Sequence, residues 1–78
     1  MRAIVIAQAA EISGMEARDI DERTTLEQLG MDSLECICFV TAIEDATGAE
    51  IGCGERIEIV TIGDAVDLVE PRVLRMAA

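Results

Sequence analysis

Apolar residues recur at intervals of three and four along three stretches of this 78-residue chain, the spacing of amphipathic α-helices. The first stretch predicts a helix over residues 2 to about 12, ended by Gly14 in a left-handed conformation. The second predicts a helix over residues 33–47, also ended by a glycine. In the third, Thr61 caps a helix that ends at Pro71, because a helix interior does not tolerate proline. No stretch sustains the alternation typical of a β-strand.

The segments between these helices contain their own structural signals. Residues 15–29 form a long polar connection, in which Thr24 and Glu27 predict a capping box at the start of a short helical turn. Residues 55–59 predict a short third helix. The apolar residues expected to hold these segments to the core are Ile20, Leu26, Leu29, Ile57 and Ile59.

These elements predict an all-α fold, a small bundle of three long helices and one short helix with a long first loop. Residues 1–78 are one domain, with residues 70–78 expected to be a loosely ordered tail. A domain of this size buries only about 60% of the surface that its unfolded chain exposes, so its core is small.

The second helix has two different faces when successive residues are placed 100° apart. The stripe expected to be buried comprises Cys36, Phe39, Val40, Ile43, Ala46 and Thr47. The face next to Ser33 carries apolar residues ringed by carboxylates, which is typical of a docking surface. Its members are Leu34, Glu35, Ile37, Cys38, Thr41, Glu44 and Asp45.

Charge and composition exclude several functions. Sixteen acidic residues stand against six basic ones, giving a net charge of −10, so nucleic acid and membrane surfaces are not expected partners, whereas proteins with basic patches are. The chain has no histidine, so a Ser-His-Asp or Cys-His arrangement is impossible and no enzyme activity or metal site is expected. We therefore expect a cytoplasmic monomer without a membrane span.

The three cysteines have no spacing typical of a disulfide framework or a metal site. Cys36 and Cys38 are about 200° apart around a helix, too far for a shared bond or ion. We therefore interpret Cys36, Cys38 and Cys53 as small apolar fillers in a reducing compartment.

A serine at the start of the second helix is the strongest chemical signal in the chain. A phosphate on a serine in the first helical turn would face the positive end of the helix. This serine stands in the run Leu29-Gly30-Met31-Asp32-Ser33-Leu34. Together with Thr61-Ile62-Gly63-Asp64-Ala65-Val66 in the last helix, that run resembles the acyl carrier protein family.

The resemblance implies a non-catalytic carrier in which Ser33 holds a covalent 4′-phosphopantetheine, transferred from coenzyme A by a phosphopantetheinyl transferase. The arm would carry acyl groups as thioesters to acyl-transferring, condensing or modifying enzymes of fatty-acid, polyketide or related specialised biosynthesis. Asp32 would position the attachment site. The resemblance makes Leu34, Ile37 and Thr41 the apolar centre of the docking surface and makes Glu35, Glu44 and Asp45 its contacts to basic patches.

Two alternatives remain open at this level. A peptidyl or aminoacyl carrier protein would have the same fold and arm with a different cargo. A helical interaction module without a prosthetic group would use Ser33 only as a helix cap.

Overall fold

The apolar faces of the three long helices contribute to one core. The computed structural model describes residues 1–77, apart from the side chains of residues 53, 76 and 77. Its helices are α1 (Arg2–Ser13), α2 (Ser33–Thr47), α3 (Cys53–Arg56) and α4 (Ile62–Ala77), and a 3-10 turn spans Ala17–Asp19. Helix α1 packs against both α2 and α4. The predicted all-α architecture is confirmed, and none of the helices in this described part has the length and apolar character needed to cross a bilayer.

The core follows the predicted stripes of the long helices. Gly14 ends α1 with a φ of 77°, and Gly48 ends α2 with a φ of 78°, so both glycines adopt the left-handed conformation expected at a helix end. Ala46, placed in the buried stripe of α2, is instead exposed, because it lies at the edge of that stripe. The largest side chains that are fully buried are Val5, Phe39, Val40, Ile43, Ile62 and Val69.

The long first loop is joined by backbone hydrogen bonds to the segment that begins α4. Thr25 and Thr61 form an isolated antiparallel bridge. Beside it, the Leu26 N–H donates to the Val60 carbonyl at 3.0 Å. Because Leu26 is also buried, the loop is fixed by both its backbone and its apolar side chain.

The capping box in this loop lies one residue further along than predicted. Thr25 Oγ1 accepts from the Gln28 N–H at 3.0 Å, and Gln28 Oε1 accepts from the Thr25 N–H at 2.9 Å. Thr24 Oγ1 instead accepts from the Asp21 N–H at 3.0 Å. The prediction of a box between Thr24 and Glu27 is therefore wrong. The predicted helical turn does form, since the Leu29 N–H donates to the Thr25 carbonyl at 3.2 Å.

The first turn of α4 is capped as predicted and approaches the loop closely. The Asp64 carboxylate accepts from the backbone N–H groups of Thr61 and Val60, both at 3.0 Å, and these hydrogen bonds lower the pKa of Asp64. Thr61 Oγ1 accepts from the Asp64 N–H at 3.1 Å. A Cβ added at Gly63 would lie 3.0 Å from the Glu22 carbonyl oxygen, so a larger residue there would press on the backbone of the loop.

The short third helix begins and ends earlier than predicted. It is a single turn over Cys53–Arg56. Ile59 is buried as expected, but Ile57 is 82% exposed. The burial predicted for Ile57 is wrong because the helix ends before it, and Ile59 alone takes the place in the core.

The final helix does not end at Pro71 but continues to Ala77, while Ala78 lies outside the described residues. A proline inside a helix costs about 3 kcal/mol, so contacts beyond it must compensate. Val73 packs against the core, and Arg72 pairs with Glu55 of α3. The Arg72 guanidinium also donates to the Leu68 carbonyl at 2.7 Å.

Candidate functional site

The turn that precedes α2 brings Ser33 to the surface. Leu29 and Met31 are buried on either side of Gly30, which has a φ of 74°. Only a residue that tolerates this left-handed conformation lets two neighbouring apolar side chains enter the core at such a turn. The chain then leaves the core, and Asp32 and Ser33 are exposed.

Asp32, not Ser33, caps the helix. The Asp32 carboxylate accepts from the Glu35 N–H at 2.8 Å, and its carbonyl accepts from the Cys36 N–H at 2.9 Å. Ser33 is the first residue of α2, so its side chain is exposed at the positive end of the helix and is not the cap. A hydroxyl in this place is accessible to a modifying enzyme, and an attached phosphate would meet a favourable helix dipole.

The two cysteines of α2 differ in their surroundings. Cys36 is half-buried, and burial, followed by the charges of Asp32 and Glu35, raises the pKa of its thiol. Cys38 is exposed, so it does not fill apolar space as predicted. The side chain of Cys53 lies outside the described residues.

The surface next to Ser33 has most of the exposure predicted for a docking face. Leu34 is 69% exposed and Ile37 is 50% exposed, and Thr41 is exposed further along the same helix. Asp45 is also exposed, whereas Glu35 is half-buried beside the cap. An apolar patch with an acidic rim therefore lies along α2.

Glu44 differs from the other acidic residues of α2 because both of its carboxylate oxygens are occupied. Oε1 accepts from Arg56 Nη2 at 2.8 Å, and Oε2 accepts from the Ile51 N–H at 2.9 Å. Its side chain is only 20% exposed. Glu44 thus ties α2 to α3 and to the segment between them, a structural contact that helical spacing did not reveal.

An open groove of about 330 Å³ begins at Ser33 and runs between α2 and the region of α3. Its lining is mainly apolar, with one guanidinium. The residues that line it are Leu26, Ser33, Cys36, Ile37, Val40, Arg56, Ile57 and Ile59. The second wall of the groove depends on where α3 lies, which the sequence did not predict. The sequence indicated only two isoleucines in a glycine-rich segment.

The chain as a whole matches a known protein family. A family model described as "Phosphopantetheine attachment site" matches residues 3–69. The chain is 38% identical over 69 residues to an acyl carrier protein of Saccharopolyspora erythraea, covering 87% of this chain and 73% of that protein. It is 36% identical over 58 residues to an acyl carrier protein of Sinorhizobium fredii, covering 73% of this chain and 74% of that protein.

A much larger protein contains a similar segment. The chain is 34% identical over 65 residues to the non-reducing polyketide synthase atnG of Arthrinium sp., covering 83% of this chain but only 3% of the synthase. The similarity therefore concerns only this small part of the synthase.

The helical fold and the family match together define this chain as a non-catalytic carrier domain. The chain belongs to the acyl carrier protein family, whose prosthetic group is phosphopantetheine. The residues present fit that group, because an exposed hydroxyl, a helix N-terminus and an apolar groove meet at one place.

Proposed function

We propose that Ser33 is the residue that carries 4′-phosphopantetheine and that the carrier delivers acyl groups to biosynthetic enzymes. The observation that supports this most directly is the exposure of Ser33 at the first position of α2, with Asp32 making the cap. When bound, the arm supplies a flexible thiol to which an acyl group can be attached. Asp32 orients the start of the helix, and the helix end stabilises the phosphate charge.

The exposed face of α2 is the docking surface in this proposal. Leu34, Ile37 and Thr41 provide its apolar centre, and Glu35 and Asp45 provide charge at its rim. Charges at a rim mainly increase the rate of encounter with a partner of opposite sign, so basic patches on the transferase and on acyl-transferring or condensing enzymes are the complement. Glu44 was predicted to join this rim, and its pairing with Arg56 gives it a second, internal role that the docking proposal does not need.

The cargo belongs to fatty-acid, polyketide or related specialised biosynthesis in this proposal. Similarity to two acyl carrier proteins and to a short segment of a polyketide synthase supports this range. The groove beside Ser33 supports an acyl cargo, because an apolar chain on the arm can leave water there.

Loading of the protein tests the proposal. The apo protein is incubated with coenzyme A and a broad-specificity phosphopantetheinyl transferase, and its intact mass is measured. We expect one phosphopantetheine per chain on the wild type and none on Ser33→Ala. Ser13→Ala is the matched control, because Ser13 is the other serine of the chain and lies at the end of α1. An unmodified wild type, or equal loading of Ser33→Ala, would contradict the proposal.

A further inference from the structure

Ser33 shares its groove with a thiol of the protein. Cys36 follows Ser33 by three residues, roughly 4.5 Å along the axis of α2, and residues three apart in a helix lie on the same side of it. Both residues line the same open groove of about 330 Å³. A cysteine therefore stands beside the place from which a thiol-bearing arm extends in the proposed carrier.

The two cysteines of α2 differ in their relation to this groove. The side chain of Cys36 is only partly buried and packs against the core. Because a cysteine side chain consists of Cβ and one sulfur, the part of Cys36 that lines the groove is the sulfur or the carbon bonded to it. Cys38 lies about 200° further around the helix, is exposed and does not line the groove. Any thiol chemistry that depends on the groove is therefore expected at Cys36 and not at Cys38.

The surroundings of Cys36 suit it to react with an oxidised thiol rather than to be oxidised first. Burial, followed by the charges of Asp32 and Glu35, raises the pKa of its thiol, so the thiolate is scarce at neutral pH. Oxidants react with thiolates, and with exposed thiols before covered ones. The thiol at the end of a solvated arm is therefore oxidised before Cys36. Once formed, a disulfide to Cys36 is reduced slowly, because a thiol with a raised pKa is a poor leaving group.

We propose that Cys36 forms a reversible intramolecular disulfide with the thiol of the arm on Ser33, which stops the carrier from accepting acyl groups under oxidising conditions. This inference rests on the proposed attachment of the arm at Ser33. With hydrogen peroxide as the oxidant, the arm thiol becomes a sulfenic acid and one water is released. The Cys36 sulfur then forms the S–S bond, and the sulfenic hydroxyl leaves with the thiol proton as a second water. Each sulfur gives up one electron, and peroxide gains both.

The disulfide protects the arm in two ways. Its sulfur is no longer open to oxidation to a sulfinic acid, which is not reversed by thiols. The arms of two carriers are also prevented from joining each other. A tether within one molecule gives an effective concentration of about 1 mM, so at about 10 μM protein the intramolecular disulfide is favoured over a dimer about 100-fold.

The experiment uses protein that is loaded on Ser33 to completion, reduced and freed of coenzyme A. One equivalent of hydrogen peroxide is added, free thiols are alkylated, and the intact mass is measured without reductant. We expect a monomer with two fewer alkylated thiols, in a yield that does not change when the protein is tenfold more concentrated. Reduction before alkylation should restore both thiols. Apo protein treated in the same way should not form this species.

Two serine variants identify the partner of the arm. Cys38→Ser is the matched control for Cys36→Ser, because it removes a thiol from the same helix but outside the groove. We expect Cys38→Ser to form the monomeric disulfide as wild type does. Cys36→Ser should lower its yield about tenfold or more and give dimers joined through their arms instead.

Peptide mapping of the oxidised wild type does not depend on the folding of any variant. Cleavage after Glu35 separates Ser33 from Cys36, so the disulfide should keep the two peptides joined, and fragmentation between Cys36 and Cys38 assigns the sulfur. An arm joined to Cys38 or Cys53, dimers as the main wild-type product, or no disulfide would each overturn the inference. Failure to load Ser33 at all would instead refute the carrier proposal, and this inference with it.

Discussion

Replacing Glu44 separates its contribution to stability from a role in docking. The Glu44 carboxylate links α2 to Arg56 and to the Ile51 N–H, and it is mostly buried. Glu44→Ala removes a hydrogen bond between a charged acceptor and a backbone donor, worth about 1.5–3 kcal/mol. It also leaves the half-buried Arg56 charge without its partner, which costs less than the 3–5 kcal/mol of a fully buried pair.

These two effects share one carboxylate and do not add fully, so we expect a net loss of about 2–3 kcal/mol in the free energy of unfolding. In a domain of this size that corresponds to roughly 10–20 °C in the midpoint of thermal unfolding. The measurement is urea unfolding followed by circular dichroism at 222 nm, on apo protein so that no cargo contributes. Glu44→Gln should fall between wild type and Glu44→Ala, because its amide oxygen can still accept from Ile51.

The neighbouring carboxylate provides the control. Asp45 is exposed and forms no ion pair within the described residues, so Asp45→Ala should change the free energy of unfolding by less than about 0.5 kcal/mol. The same variant should slow modification by the transferase at low salt if the rim charges steer docking. Equal stabilities of Glu44→Ala and Asp45→Ala would refute the structural role assigned to Glu44.

Four further outcomes follow from single contacts. Gly63→Ala should lower the free energy of unfolding by about 1–2 kcal/mol, because its Cβ would press on a backbone carbonyl. Gly54→Ala is the control, since a Cβ there meets nothing within 4 Å and should not lower this free energy. Equal urea midpoints for the two variants would contradict this prediction. Backbone hydrogen bonds lower the pKa of Asp64 in the folded protein. Its carboxylate therefore stabilises the fold fully at a pH above the ordinary aspartate pKa of about 3.9, and this stabilisation is lost as the pH falls through the lower pKa of the folded state. Asp64→Asn should therefore be less stable at pH 7 and show a weaker loss of stability below about pH 4 in acid titrations, and an unchanged acid profile would count against the contact. Peptide mapping after brief alkylation of apo protein should find Cys38 modified before the half-buried Cys36. The reverse order would contradict the structure. Amide protons of α3 should exchange with deuterium faster than those of α2, and equal protection would show that the short helix is not a separate unit of low stability.

Where local chemistry determines an element, the sequence was sufficient to predict it. The bounds of α2 agree with the prediction because Asp32 caps its start and Gly48 adopts the left-handed conformation at its end. Both effects act within a few residues. The exposure of Ser33 follows from the same local signals, so the centre of the candidate site was also predictable.

Where tertiary contacts compete with local preference, prediction failed. Pro71 predicted a helix end, but α4 continues beyond it. Packing of Val73 and the ion pair of Arg72 stabilise this last part of the helix. Ile57 and Arg56 line the groove only because of where α3 lies. A five-residue segment is too short for its periodicity to predict that position. The groove was therefore not predictable, because the sequence does not show that the residues lining it lie close together.

The short helix α3 is held between two longer helices by ion pairs. A single helical turn has no independent stability, so its position depends on the contacts that hold it. On one side Arg56 binds Glu44 of α2, and on the other Glu55 binds Arg72 of α4. The ion pair on the α2 side also supplies a wall of the groove, since Arg56 lines it. Movement of α3 would therefore open the groove at the cost of a few polar contacts, while the core between α1, α2 and α4 stays intact. The pairing of Glu44 therefore fixes one wall of the groove in addition to its contribution to stability.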